Sequence, residues 1–221
     1  MPMHGHDDDF TGLVEAARSL QRARSLQRSG GSSGERRRAV LGITGPPGAG
    51  KSTLAARLVT ALGPGAAVVP MDGFHLRQTE LVRLGRTDRK GAPDTFDAVG
   101  YLALLGRLRH DAGPVHAPAF DRSIDDPVDD AITVGPEVSI VVTEGNYLLV
   151  PDGAWGAVRA HLDECWYVEL DDGDRLDRLT ARHVSHGRSP AHAHDWARGS
   201  DEANAAVVRA TRASADRIVN G

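Results

Sequence analysis

At 221 residues, with 40% hydrophobic and 25% charged positions and a net charge of −4, the chain has globular composition and excludes a disordered, collagen-like or coiled-coil protein. The length suits one α/β core carrying a lid or insertion. The charge balance supplies no basic field for a nucleic-acid polymer, no apolar run reaches the roughly 18–20 residues of a membrane span, and the start MPMHGHDDDF lacks the basic and apolar regions of a signal peptide, so a soluble cytoplasmic protein is expected.

Residues 1–35 read as an acidic, His-containing tail, a helix over about 11–28 and a turn-rich linker, SGGSSGE, ahead of a main domain over 36–221. The tail is not read as a metal site, because a chain end fixes neither geometry nor supporting hydrogen bonds. The echo RSLQRA/RSLQRS at 18–29 is too short for a repeat architecture. Residues 39–44, AVLGIT, have the length and continuous apolarity of a strand buried on both faces. A glycine-rich turn follows, and then Leu54, Leu58 and Leu62 mark one face of a helix over 52–62 that stops before Gly63-Pro64. Further strands are expected at 66–71, 138–143 and 166–170, with helices at 101–110 and 154–162 between them. The alternation predicts an α/β fold, a doubly wound parallel sheet flanked by helices. Residues 113–136, rich in Pro and Asp, read as irregular surface connections. Helices are expected at 174–186 and at 200–219, the second capped by Ser200, with a polar, movable segment between them. The C-terminal helix is open to packing, nucleotide binding or homodimer formation. The single cysteine, Cys165, lies beside the apolar WYVEL and is expected to be a buried structural thiol.

Of 26 basic residues only Lys51 and Lys90 are lysines. Lysine is a compact point charge that enters a tight phosphate cradle more easily than a planar guanidinium, so these two mark candidate sites. Lys51 closes Gly45-Pro46-Pro47-Gly48-Ala49-Gly50-Lys51-Ser52, a match to GxxxxGK[ST] between a predicted strand and a predicted helix. Glycines at 45, 48 and 50, with Ala49, let the backbone turn its N–H groups toward phosphate oxygens at a helix N-terminus. Lys51 reaches the β/γ-phosphates of ATP, Ser52 ligates Mg²⁺, and Thr53 is a further donor candidate toward the α-phosphate.

Two acids sit where predicted strands end, in Met71-Asp72-Gly73-Phe74-His75 and in Thr143-Glu144-Gly145-Asn146-Tyr147. Strand C-termini are where ligands bind in open α/β sheets. Asp72 is a candidate base for an attacking hydroxyl and Glu144 a candidate Mg²⁺ acid, directly or through water. Read without a family, both are equally well strand-ending turns.

Together GPPGAGKSTLA, MDGFHL, RKGAPDTFD and EGNYLL resemble the phosphoribulokinase/uridine kinase/pantothenate kinase-like family of P-loop kinases, in the bacterial nucleoside/nucleotide kinase or fructose-transport-system kinase subgroup, from about residue 38 to the C-terminus. The resemblance implies that Asp72 is the catalytic base, that Glu144 holds the Walker B position, and that Arg182 and Arg188 belong to a mobile lid that offsets transferred charge. It also implies an acceptor pocket along RKGAPDTFD. The substrate-side candidates are His75, Arg89, Lys90, Asp97, Arg122 and Tyr147. The expected partner is a small molecule bearing a hydroxyl.

The chain departs from those relatives in two places. Phe120-Asp121-Arg122-Ser123-Ile124-Asp125 stands where uridine kinases show YDFxSH and pantothenate kinases a YSH-type segment. Gly91 replaces the acid expected to hold ribose hydroxyls. The charges at Arg89, Lys90, Asp97, Asp121, Arg122 and Asp125 suit a polyhydroxylated or anionic acceptor, with a sugar or sugar phosphate preferred. The alternative is a non-catalytic or switch-type P-loop protein; no NKxD-type guanine-reading motif is present, and both Asp72 and Glu144 are.

Overall fold

The apolar run AVLGIT becomes the central strand of the molecule. The computed structural model describes residues 5–27 and 38–221, with side chains described for 9–24 and 38–221; the linker and His4 lie outside the described residues, as do the side chains of His6, Asp7 and Asp8. Strand β1 (Ala39–Thr44) is buried along its whole length. It pairs in parallel with β5 (Ile140–Glu144) on one side and β6 (Glu164–Glu169) on the other. Strand β2 (Ala66–Pro70) adds beyond β5, and β7 (Arg217–Asn220) adds beyond β6. The result is a five-stranded parallel sheet in the order β2-β5-β1-β6-β7.

Alternate residues of β1 serve opposite layers. Leu41 and Ile43 face helices α1 (Gly5–Gln27) and α2 (Lys51–Leu62), where Leu13, Val14, Ala17, Leu54 and Leu58 are buried. Val40 faces the layer of helix α4 (Ala98–His110), which buries Tyr101, Leu104, Leu105 and Leu108. The N-terminal helix is therefore packed against the sheet. It is also anchored electrostatically: Asp163, 8% exposed, accepts from Arg24 and Arg109 and from the backbone N–H of Val40. Arg38, itself buried, donates to the carbonyls of Leu108, Asp111, Gly113 and Gly135 and so closes the chain around the end of α4. Among the described residues no helix is long and apolar enough to cross a membrane.

Three sequence expectations are corrected. Residues 113–136 contain not an irregular connection but an antiparallel hairpin, β3 (Val115–Asp121) with β4 (Asp126–Val134). Inward-facing Val115, Ala117 and Val134 are buried while Asp129 and Asp130 of β4 face solvent, so long-range pairing overrides poor strand propensity. The register shifts around Pro118, which has no N–H to donate to the ladder. The predicted helix over 200–219 ends early, as α7 (Ser200–Arg209). A 3₁₀ turn (Arg212–Ser214) follows, and ahead of β7 the Asp216 carboxylate accepts from Cys165 N at 2.7 Å and pairs with Arg159. Ser200 begins α7 but Gly199 holds the cap position. The polar segment that follows helix α5 (Asp172–Ser185) contains helix α6 (Pro190–Arg198), capped by the Ser189 side chain. Cys165 is buried as expected.

Asp163 joins three elements, so Asp163→Ala removes the carboxylate that two largely buried guanidinium groups share. Urea unfolding at pH 7 is expected to show a loss of about 3 kcal/mol; an unchanged midpoint would mean that α1 is not anchored there.

Candidate active site

The site forms at the C-terminal edge of the sheet, where β1, β2 and β5 end together. Their register sets Ile43 and Pro70 on either side of Glu144. The loop from Gly45 to Gly50 leaves β1 with glycines at φ of 149°, 85° and 97° at positions 45, 48 and 50. At Gly48 the requirement is steric as well, since a Cβ would lie 2.7 Å from Leu179 Cγ on α5. Helix α2 starts at Lys51 with Gly50 at its cap and no side-chain cap, an end whose N–H groups and dipole favour an anion.

Lys51 is buried, and its Nζ donates to the Pro46 carbonyl at 3.1 Å. Ser52 Oγ donates to Glu144 Oε1 at 2.9 Å. Burial pushes the Lys51 ammonium down to about 8, against the pull of Glu144 and Asp72, which favour its charge. Burial, then the nearby Asp72, push the Glu144 carboxyl up to about 7, while Lys51 and the Ser52 hydroxyl oppose the rise. Asp72 stands across from them on the 3₁₀ turn Met71–Phe74 that follows β2, and Arg122 Nη2 lies 3.5 Å from its Oδ2. Gly73 lets the hairpin close over this turn, because a Cβ there would collide with the Pro118 carbonyl.

A cavity of about 590 Å³ opens between the loop, the hairpin and α5–α7. It gathers Gly48, Lys51, Ser52, Asp72 and Glu144 from the phosphate and acid candidates, and His75, Lys90 and Arg122 from the substrate candidates. Arg182 and Arg188 face it from the end of α5 and the turn beyond. Arg188 lays its guanidinium 4.0 Å from the centre of the Trp196 ring. Lys90 pairs with Asp125 at 2.8 Å. Gly45, Ala49, Gly50 and Thr53 belong to the loop and first turn of α2 without lining the cavity.

Three substrate candidates are placed elsewhere. Arg89 is paired with Asp94 at 2.8 Å and does not line the cavity. Asp97 caps α4, accepting from Gly100 N. Tyr147 is fully buried against Phe96 and Trp155 and donates to the Gly91 carbonyl, so it supports the pocket floor from behind. Sequence reasoning missed Trp196, Asp201 and Asn204 on the side of α6 and α7, and Phe96 on the opposite side. It also missed Arg175, fully buried, which reaches the Pro47 carbonyl, Asp172 and Glu202 and ties the phosphate loop to α5 and α7. A chain with 24 arginines among 26 basic residues gives no local signal that singles out this one. Among the described residues no cluster of three or more His, Cys, Asp or Glu side chains forms a metal site.

No family model matches the chain. The ATP-dependent kinase-like protein notR' of Aspergillus versicolor is 38% identical over 128 residues, covering 54% of this chain and 74% of that one. A protein provisionally named uridine kinase C227.14, from Schizosaccharomyces pombe, is 34% identical over 160 residues, or 68% of each chain. The chain belongs to the uridine kinase/pantothenate kinase-like family of P-loop kinases. The crystal structure of a protein provisionally named a fructose transport system kinase, from Silicibacter sp. TM1040, agrees: TM-score 0.79, 37% identity, 94% of this chain and 98% of that one. YFH7 of Saccharomyces cerevisiae matches this kinase in fold, with TM-score 0.79 and 19% identity over 96% of this chain and 98% of its own.

The Glu144 shift carries a stability consequence for the nucleotide-free kinase. A carboxyl held above its ordinary value binds its proton more tightly in the folded protein, so its contribution is full below about pH 4.5 and is lost as pH rises toward 7. Lys51, shifted down, acts in the opposite sense, its contribution being lost as pH falls from above 10 toward 8. Glu144→Gln abolishes the first effect and, by removing a carboxylate that favours the Lys51 charge, deepens the second. Between pH 4.5 and 7 the stability of the variant is expected to fall less steeply than that of the wild type. Parallel pH profiles in urea titrations would contradict the burial of this acid.

Proposed function

We propose that the chain is an ATP-dependent kinase that transfers the γ-phosphoryl group of ATP to a hydroxyl of a small molecule. One observation carries this reading: Asp72 faces the same cavity as Lys51, Ser52 and Glu144, so a carboxylate that can take a proton stands opposite a loop built for phosphates. Relatives provisionally or formally named for uridine, pantothenate and ATP point the same way.

The residues also fit a magnesium ion. Mg²⁺ asks for oxygen donors, takes only one or two from the protein and completes its shell with phosphates and water, and the Ser52 hydroxyl beside the Glu144 carboxylate is such a pair. When bound with ATP, the ion offsets phosphate charge. The remaining work belongs to the chain. The loop N–H groups and Lys51 hold the β/γ-phosphates. Asp72 orients the acceptor hydroxyl and accepts its proton. The hydroxyl oxygen forms a bond to the γ-phosphorus as the bond to the bridging oxygen breaks, and that electron pair leaves with ADP. Arg182 and Arg188 on the lid face the charge in transit, while Arg122 beside Asp72 borders the acceptor side. An ATP-consuming reaction on a small metabolite is assigned to the cytoplasm.

Asp72→Asn is expected to bind ATP as the wild type does and to lose acceptor-dependent ADP release by about a thousandfold, the middle of the range for a lost general base. Lys51→Ala is expected to lose both ATP affinity and turnover. Calorimetric ATP titration alongside coupled ADP assays separates the two; full turnover by Asp72→Asn would remove the proposed base.

A further inference from the structure

Arg188 is held at the cavity by an aromatic ring rather than by an acid. Its guanidinium carbon lies 4.0 Å from the centre of the Trp196 ring, and both residues line the cavity. Among the described residues no carboxylate pairs with Arg188, and its Nη1 is buried without a hydrogen-bond partner. Lys90 and Arg122, which line the same cavity, are instead matched to Asp125 and Asp72.

Two local motifs bring the guanidinium and the ring together. Helix α5 ends at Ser185, and the chain reverses through Gly187, whose φ of 90° suits glycine. Gly187 N donates to the Val184 carbonyl at 3.0 Å and Arg188 N to the His183 carbonyl at 3.1 Å. These are the paired bonds of a Schellman turn, so the backbone of Arg188 is fixed to the end of α5. Ser189 then caps α6, its hydroxyl accepting from His192 N at 3.3 Å, with Pro190 in the first turn. Trp196 follows one turn after His192, whose ring meets the indole edge to face at 6.0 Å. Ala193 and Ala197 are fully buried, so α6 is packed down while Trp196 borders the cavity.

The choice of a ring has a chemical consequence. A carboxylate would occupy the in-plane N–H groups of the guanidinium and offset its charge. A ring face attracts the cation as a whole and takes up none of those N–H groups with a lone pair. The charge and the donors therefore stay available, and the matching acceptor for the buried Nη1 is an anionic oxygen. The helix that leads to Arg188 rests on the phosphate loop, through Leu179 against Gly48 and Arg175 at the Pro47 carbonyl, which favours a phosphoryl oxygen.

Building on the kinase reading above, we propose that Trp196 is a positioning residue: its ring holds Arg188 so that Nη1 donates to an oxygen of the γ-phosphoryl group. The pair then distinguishes a nucleoside triphosphate from the diphosphate, which has no such oxygen to offer.

The test is a calorimetric double-mutant cycle with the full chain, using Mg·ADP and the non-transferable analogue Mg·AMP-PNP as probes. Wild type, Trp196→Leu, Trp196→Phe, Arg188→Ala and the Trp196→Leu/Arg188→Ala double variant are compared. Trp196→Leu is expected to weaken Mg·AMP-PNP binding roughly tenfold, the scale of a partly desolvated cation–π contact, and to leave Mg·ADP binding unchanged. Trp196→Phe, which keeps a ring, should retain most of the affinity. On the Arg188→Ala background Trp196→Leu should cost nothing further, because the indole then has no guanidinium to hold. A loss shared equally by both nucleotides, or one that persists without Arg188, would make Trp196 a packing residue and overturn the proposal. Unchanged binding of both probes by Trp196→Leu would overturn it too, and the kinase reading would stand. Failure of the wild type to bind Mg·AMP-PNP would count against the kinase reading itself, and against this proposal with it.

Discussion

Holding Lys51 and Glu144 together, both almost sealed from water, is the constraint on which the rest of the structure depends. Each charge alone is costly to bury, and the pair is tolerated because Ser52, the Pro46 carbonyl and the opposite charges share the cost. The sheet makes this possible. A β1 buried on both faces leads directly into the loop, and the parallel pairing with β5 brings Glu144 level with the end of β1. Burial and the nearby Asp72 hold the acid poorly as an anion, a balance that a cation bound beside it would reverse.

The outer elements follow from that centre. The hairpin closes over the Asp72 turn only because Gly73 has no side chain, and it delivers Arg122 and Phe120 to the acceptor side. On the other side Arg175 welds the phosphate loop to α5 and α7 through Pro47, Asp172 and Glu202. The arginines facing the cavity from this side therefore sit on elements tied to the loop that they complement. On the proposed reading, the loop side of the cavity serves the nucleotide and the hairpin side the acceptor.

The phosphate half was legible in the sequence because its constraints are local. Glycines at fixed spacing, a lysine in a chain almost without lysine, and an apolar run before them all act within a dozen residues. Asp72 and Glu144 were legible as strand ends once several motifs were read in order. The acceptor half was less so. The hairpin depends on pairing between residues such as Val115 and Val134, and nothing in the Pro- and Asp-rich stretch predicts that partner. Asp97 and Tyr147 were read as ligand groups, yet one is spent on a helix cap and the other on the Gly91 carbonyl, uses that only tertiary placement reveals. The C-terminal helix was overextended because residues 217–220 pair with the distant Trp166–Glu169 as an edge strand, a partnership that no periodicity records.

The central claim is that this cavity moves a phosphoryl group from ATP to a hydroxyl. The most direct measurement is ³¹P spectroscopy of the wild-type protein with Mg·ATP and a mixture of small hydroxylated metabolites. The account predicts a new phosphomonoester resonance that grows in step with ADP. Loss of ATP matched only by inorganic phosphate, or no loss of ATP at all despite saturation of the site, would contradict it.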